Sequence, residues 1–208
     1  MTLNLLRRSL IATAWTAAIA APVLAWANAT VDAAAPAFTA TTADGKTVNL
    51  ADYKGRTVVL EWTNHDCPYV RKHYGSGNMQ SQQKDAAAQG VVWLQVISSA
   101  PGQQGFVDGA TAQKLNADRG AAPAATLLDP KGDLGKLYGA QTTPHLYVIK
   151  ADGTLAYKGG IDSIASADKG DIARAEPYVK QALAAVAAGR KVEKASTRPY
   201  GCSVKYAG

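Results

Sequence analysis

Apolar positions along the chain come in short blocks punctuated by glycine, proline and aspartate. Residues 58–62 (Val-Val-Leu-Glu-Trp) and 91–97 are near-continuous runs, as expected of strands buried on both faces. Residues 38–50 alternate around Asp44-Gly45, and residues 146–149 and 154–157 flank Ala151-Asp152-Gly153. Both stretches predict hairpins. A short strand is predicted at 126–128, before an Asp129-Pro130 turn. Elsewhere the period lengthens. Helical patterning begins at Cys67-Pro68, breaks at Gly75-Ser76-Gly77 and ends at Gly90; a second helix is predicted over 110–119. An Ala-rich helix is predicted over 171–188, stopped by Gly189. Residues 98–109 read as a long loop, and the tail from Arg190 has no period. Strands alternating with helices and closed by a hairpin predict a single α/β domain with helices on both faces of a central sheet.

The first residues follow another logic. Arg7-Arg8 precedes an apolar run over 10–25, and Ala27-Asn28-Ala29 supplies small residues at its end. That order predicts a cleaved signal peptide over 1–29 and a periplasmic or secreted protein. The run is short of the roughly 20 residues that span a bilayer, so no stable membrane insertion is expected after cleavage. Arg7-Arg8 also permits a twin-arginine route. The expected organisation is therefore a leader, a domain over 30–189, and a tail over 190–208 carrying Cys202.

Charge and cysteine count narrow the chemistry. The formal charge is +6, but Arg7 and Arg8 leave with the leader and the other Lys and Arg are scattered. Nothing points to nucleic acid. Two cysteines, with no zinc-finger spacing, exclude a disulfide scaffold. Cys67 follows a strand and a polar loop and opens a helix with Pro68 at its first position. The helix dipole and its free N–H groups favour thiolate there, and Arg71, one turn on, adds positive potential. The cap position and the polar loop predict an exposed sulfur.

The residues from Val58 to Trp62, with Cys67-Pro68-Tyr69-Val70, resemble the strand–active-site–helix unit of the thioredoxin superfamily. Asp44-Gly45-Lys46 and Tyr53-Lys54-Gly55 resemble the N-terminal β-hairpin extension of its redoxin branch, which contains the alkyl hydroperoxide reductase and thiol-specific antioxidant proteins. Thr142-Thr143-Pro144 resembles the superfamily's Thr-Pro. The resemblance implies a mixed central sheet and a cis Pro144 beside Cys67. It further implies that Thr143 offers backbone hydrogen bonds to a docked peptide. Two departures stand out. Val70 occupies the place of the second thioredoxin cysteine. Leu60 and Asn64 stand where peroxiredoxins carry proline and a peroxide-orienting hydroxyl.

These features predict an exported thiol oxidoreductase with Cys67 as nucleophile, acting on protein thiols and disulfides or on hydroperoxides, with an unidentified reductant and no cofactor. A peroxiredoxin-type peroxidase is one alternative; a copper or zinc module using Cys67, His65 and His145 is another. His65 and His145 are candidates for acid–base support of the sulfur; otherwise His145 reads as a core residue and His73 as a solvated helix residue. Glu61, if buried, would ionise nearer neutrality, whereas Asp66 reads as solvated. Cys202 leaves three fates: a bridge to Cys67, intermolecular pairing, or a free thiol. The tail is long enough to return over the sheet. Cys202 would then replace the resolving sulfur that Val70 fails to provide, or form a permanent bridge.

Overall fold

The structure is a computed structural model that describes residues 29–207. Apart from Ala29, the expected leader lies outside the described residues. The hairpin around Asp44-Gly45 is β1 (Thr39–Thr42) and β2 (Thr47–Asn49), with Gly45 at the φ of +82° that such a turn requires. The buried runs form β3 (Val58–Trp62) and β4 (Val92–Ile97). Between them lie α1 (Pro68–Gly75) and α2 (Asn78–Ala88), separated where Gly77 turns left-handed at φ +77°. After the long loop come α3 (Gly109–Asp118), β5 (Ala125–Leu128), α4 (Asp133–Tyr138) and β6 (Thr142–Thr143). The chain closes with β7 (His145–Ile149), β8 (Leu155–Gly159), α5 (Tyr178–Ala187) and β9 (Cys202–Ser203).

Seven strands make one mixed sheet in the order β2-β1-β5-β4-β3-β7-β8. β3, β4 and β5 run parallel, and β1, β7 and β8 pair antiparallel. Central β3 is buried at every position, so its alternate side chains feed two cores. Val59 packs with Cys67, Val70, Trp93, Leu146 and Val148 on one face. Leu60 and Trp62 pack with Leu94, Tyr138 and Tyr147 on the other. Burial of such side chains contributes about 1.5–3 kcal/mol each.

One predicted element differs, and one element, α4, is not predicted from the sequence pattern. The Ala-rich helix begins at Tyr178, not at Asp171, because Pro177 restricts Glu176 to non-helical backbone. Its intended first turns are a 3-10 segment at Lys169–Asp171 and a loop. α4 lies in a glycine-rich stretch without apolar period. It is capped from outside: Asp129 accepts from the N–H groups of Leu134 and Gly135. That carboxylate also accepts from Ser98 (2.6 Å), whose hydroxyl accepts from the Trp62 indole (3.0 Å).

The aperiodic tail is ordered by contacts rather than by its own pattern. β9 pairs with β6 in a separate two-stranded sheet. Val204 N–H donates to Gln141, and the Lys205 carbonyl accepts from Ala100. Tyr206 lies over Gly132 and Gly135, where any Cβ would meet its ring at about 2.5 Å, and donates to the Ala140 carbonyl.

Candidate active site

The end of β3 delivers Cys67 to the N-cap of α1, with Pro68 at the first helical position. The thiol donates to the Thr143 carbonyl at 3.0 Å, and the Thr143-Pro144 peptide is cis. Opposite Thr143 in the β6–β9 ladder stands Cys202. Both cysteines are free. Thus Cys67, Thr143, Pro144 and Cys202, four residues named from sequence, meet at one place.

The exposed sulfur expected from the cap position is instead fully buried at 0% exposure. The tail lies over it, which local sequence around Cys67 could not reveal. Burial pushes the Cys67 thiol up. Hydrogen bonding from the Cys202 thiol and the N–H groups of Val70 and Cys202 outweighs this and holds it below the usual range. Cys202 moves the other way, to about 11, through burial and the neighbouring Cys67. The pair is therefore split in acidity, with Cys67 the thiol that ionises more readily.

The other candidates do not converge on the sulfur. Arg71 is exposed on α1 and His65 is half-buried, with its Nε2 3.5 Å from Asp66. His145 shares a sheet face with Tyr147, opposite the core that holds Cys67, and the two rings sit 4.6 Å apart. Burial lowers its pKa to about 3, so it is no imidazolium at neutral pH. Among the described residues no group of three or more His, Cys, Asp or Glu side chains could hold a metal, which removes the Cys67–His65–His145 ligand set. Asn64 is committed to its loop: its Oδ1 accepts from Asp66 N–H at 2.9 Å, and its Nδ2 donates to the Gln104 carbonyl at 3.3 Å.

A cluster that sequence reading missed anchors the tail. His73, read as solvated, is fully buried. Asn78 donates to its Nδ1 at 2.8 Å, which leaves Nε2–H to face Tyr200 Oη at 3.2 Å. Tyr200 donates to Asp162 (2.5 Å), and buried Lys72 stands 3.9 Å from the same carboxylate. The Tyr200 ring meets Tyr69 edge-on at 5.8 Å. Desolvation drives the His73 pKa down to about 4, with Lys72 acting the same way against Asp162. The i, i+5 spacing of His73 and Asn78 was visible in sequence; the partners near 162 and 200 carried no local signal.

Glu61 is buried as expected, and burial raises its pKa against the charge of Arg119 and its own hydrogen bonds. Tyr74, Gln83 and Trp93 donate to its carboxyl at 2.8, 3.1 and 2.7 Å. That satisfied network lies beneath α1 and α2 and braces the helix that carries Cys67.

Comparison with known proteins supports the fold. The chain resembles a hypothetical protein from Sinorhizobium meliloti 1021 (20% identity, TM-score 0.72, 86% of this chain and 96% of that one). An uncharacterized conserved protein from Geobacillus kaustophilus is equally similar (23%, 0.72, 86% and 93%). A protein described as a thiol:disulfide interchange protein DsbE, from Chlorobium tepidum, matches over 62% of this chain and 84% of that one (25%, 0.51). No curated protein matches the sequence. The model of the AhpC/TSA family matches residues 31–158, which include Cys67 and Pro144 but stop short of Cys202. The chain belongs to the AhpC/TSA family, on a thioredoxin-like fold.

Proposed function

We propose that this protein is an exported thiol–disulfide oxidoreductase in which Cys67 attacks and Cys202 resolves. The observation that carries this reading is the β6–β9 register, which sets Cys202 opposite Thr143 while Cys67 bonds to the Thr143 carbonyl. The split thiol pKa values fit the same roles. The Cys67 thiolate attacks one sulfur of a partner disulfide, forming a mixed disulfide and releasing the other partner sulfur as thiolate. The Cys202 thiol then loses its proton and attacks Cys67 Sγ. This frees the second partner thiol and leaves a Cys67–Cys202 bridge, two electrons having passed to the partner. An external dithiol reductant restores the pair. Because Cys67 is covered, the tail around Cys202 must lift for each partner to enter, and Thr143 and Pro144 then line the vacated edge. Peroxide chemistry has less support, since an amide, Asn64, tied to Asp66 and to the Gln104 carbonyl of another loop, stands where a peroxide-orienting hydroxyl would act. Export rests on the leader pattern of residues 1–29, and N-terminal sequencing of exported protein checks it.

The test is alkylation mass spectrometry across dithiol redox buffers. A single two-electron transition that protects both cysteines together is expected. Two freely alkylated cysteines under oxidising conditions would overturn the reading.

A further inference from the structure

Beside the buried sulfur a groove of about 750 Å³ opens along the outer side of α1, faced by the end of α3 and by Lys169. Its floor is partly apolar, with Pro68 and Leu115. Its charges are unevenly matched. Asp118 is already paired with Lys114 at 2.7 Å, whereas Asp66 has only the His65 ring, 3.5 Å away, which offsets its charge only when protonated. The cations have no such surface partners. The Arg71 guanidinium makes no hydrogen bond or ion pair among the described residues. Arg119 stacks 3.7 Å over Tyr74 and bonds neutral Asn116, with only the buried Glu61 carboxyl beneath it. Lys169 donates to the Gly75 carbonyl (2.9 Å) at the end of α1. Lys72, also on this wall, is turned inward to Asp162.

We propose that this groove selects a carboxylate-bearing disulfide as the partner of Cys67, with Arg71 as its first contact and Arg119 and Lys169 extending the positive field. Guanidinium groups bind carboxylates in a fixed fork, and a groove in which cations outnumber carboxylates raises the local concentration of an anionic partner. Asp66 and Pro68, both on the groove wall, flank Cys67 in sequence, so the groove ends at the segment that carries the sulfur, and a partner extending from it reaches Cys67 once the tail lifts. The proposal rests on the disulfide-exchange reading and names the partner's chemistry.

The experiment uses reduced full-length protein and two small disulfides of opposite charge, glutathione disulfide and cystamine. With glutathione disulfide the Cys67 thiolate forms a mixed disulfide and releases one glutathione; Cys202 then closes the bridge and releases the second. The readout is the ratio of the two rates, which cancels changes common to both reagents. In the unmodified protein that ratio should fall by roughly tenfold from low to high salt, since exposed charges are screened. Arg71→Glu and Lys169→Glu should each lower it at low salt. A disulfide joining two Glu-flanked cysteine peptides, run alongside, tells a polypeptide partner from a small one. A ratio indifferent to salt and to both substitutions overturns the proposal. If neither disulfide reacts, the exchange reading fails instead. Calorimetry of glutathione disulfide with Cys67→Ser protein then decides the groove alone: binding lost in Arg71→Glu supports it, and absence of binding ends it.

Discussion

Replacing Gly201 by alanine strikes the ladder that seats Cys202. Gly201 has φ +135°, a region side chains disfavour, and a Cβ there would stand 2.0 Å from the Thr143 carbonyl oxygen and 2.7 Å from its carbon. Both are backbone atoms and cannot swing away. Backbone strain costs about 1–3 kcal/mol, and forced overpacking about 1–3 kcal/mol more. What opposes undocking is local: two paired residues, the Val204–Gln141 and Ala100–Lys205 backbone hydrogen bonds, the Tyr200 contacts and the Tyr206 seat. β9 pairs only with β6, so the seven-stranded sheet does not depend on it. The strain should therefore release the tail while the domain stays folded. Since each 1.4 kcal/mol is tenfold, alkylation of the covered Cys67 should accelerate by at least about tenfold. The assay is mass spectrometry of the Cys67 peptide after timed iodoacetamide treatment of reduced protein, at a pH above the ordinary thiol pKa so that ionisation does not limit the rate. Equal Cys67 rates in Gly201→Ala and the unmodified protein would refute the idea that the tail covers the sulfur.

Other expectations follow from the same geometry. Cys202→Ala removes the thiol that bonds to Cys67, so the midpoint of the Cys67 alkylation–pH profile should rise toward the ordinary range; an unmoved midpoint counts against the pairing. His73 and His145 bind protons in the unfolded chain near pH 6.5 but in the fold only near 4 and 3. Their folded pKa values are lowered, so stability falls as pH drops below the unfolded value. Urea denaturation should show a loss of about 2 kcal/mol per histidine between about pH 7 and pH 5, and a flat profile would contradict their buried, neutral state. Glu61→Gln turns an acceptor that serves three donors into a group with a donor of its own. It should cost about 1–3 kcal/mol by urea denaturation, and an unchanged midpoint would mean that the network does not brace α1.

Legibility in the sequence followed the range of the interactions. Cys67-Pro68 after an apolar run is a local signal, because the strand end, the cap and the missing N–H of proline are set within ten residues. Thr143-Pro144 before β7 is another, as is the burial of Glu61 within a run of β-formers. The wrong expectations came from neighbours far along the chain. His73 looked solvated because its helix face is polar, yet that face is covered by Asp162 and by Tyr200, which lies 127 positions away. Cys67 looked exposed because its loop is polar, yet the cover is a tail whose sequence has no period at all. Gly201 marks why such a tail can still be specific. Its order comes from a backbone position that only glycine fills against Thr143, from the backbone bonds of residues 202–205, and from two tyrosines that find partners in the domain. On the proposed reading, these contacts set how often a partner finds Cys67 uncovered. Access to Cys67 on that reading depends on residues 200–206, and the charge of the partner depends on Arg71, Arg119 and Lys169 in the groove along α1. The two meet at Lys72, which lines the groove and stands 5.8 Å from the Tyr200 ring, so they are separated by substituting Arg71 or Lys169 on one side and Gly201 on the other.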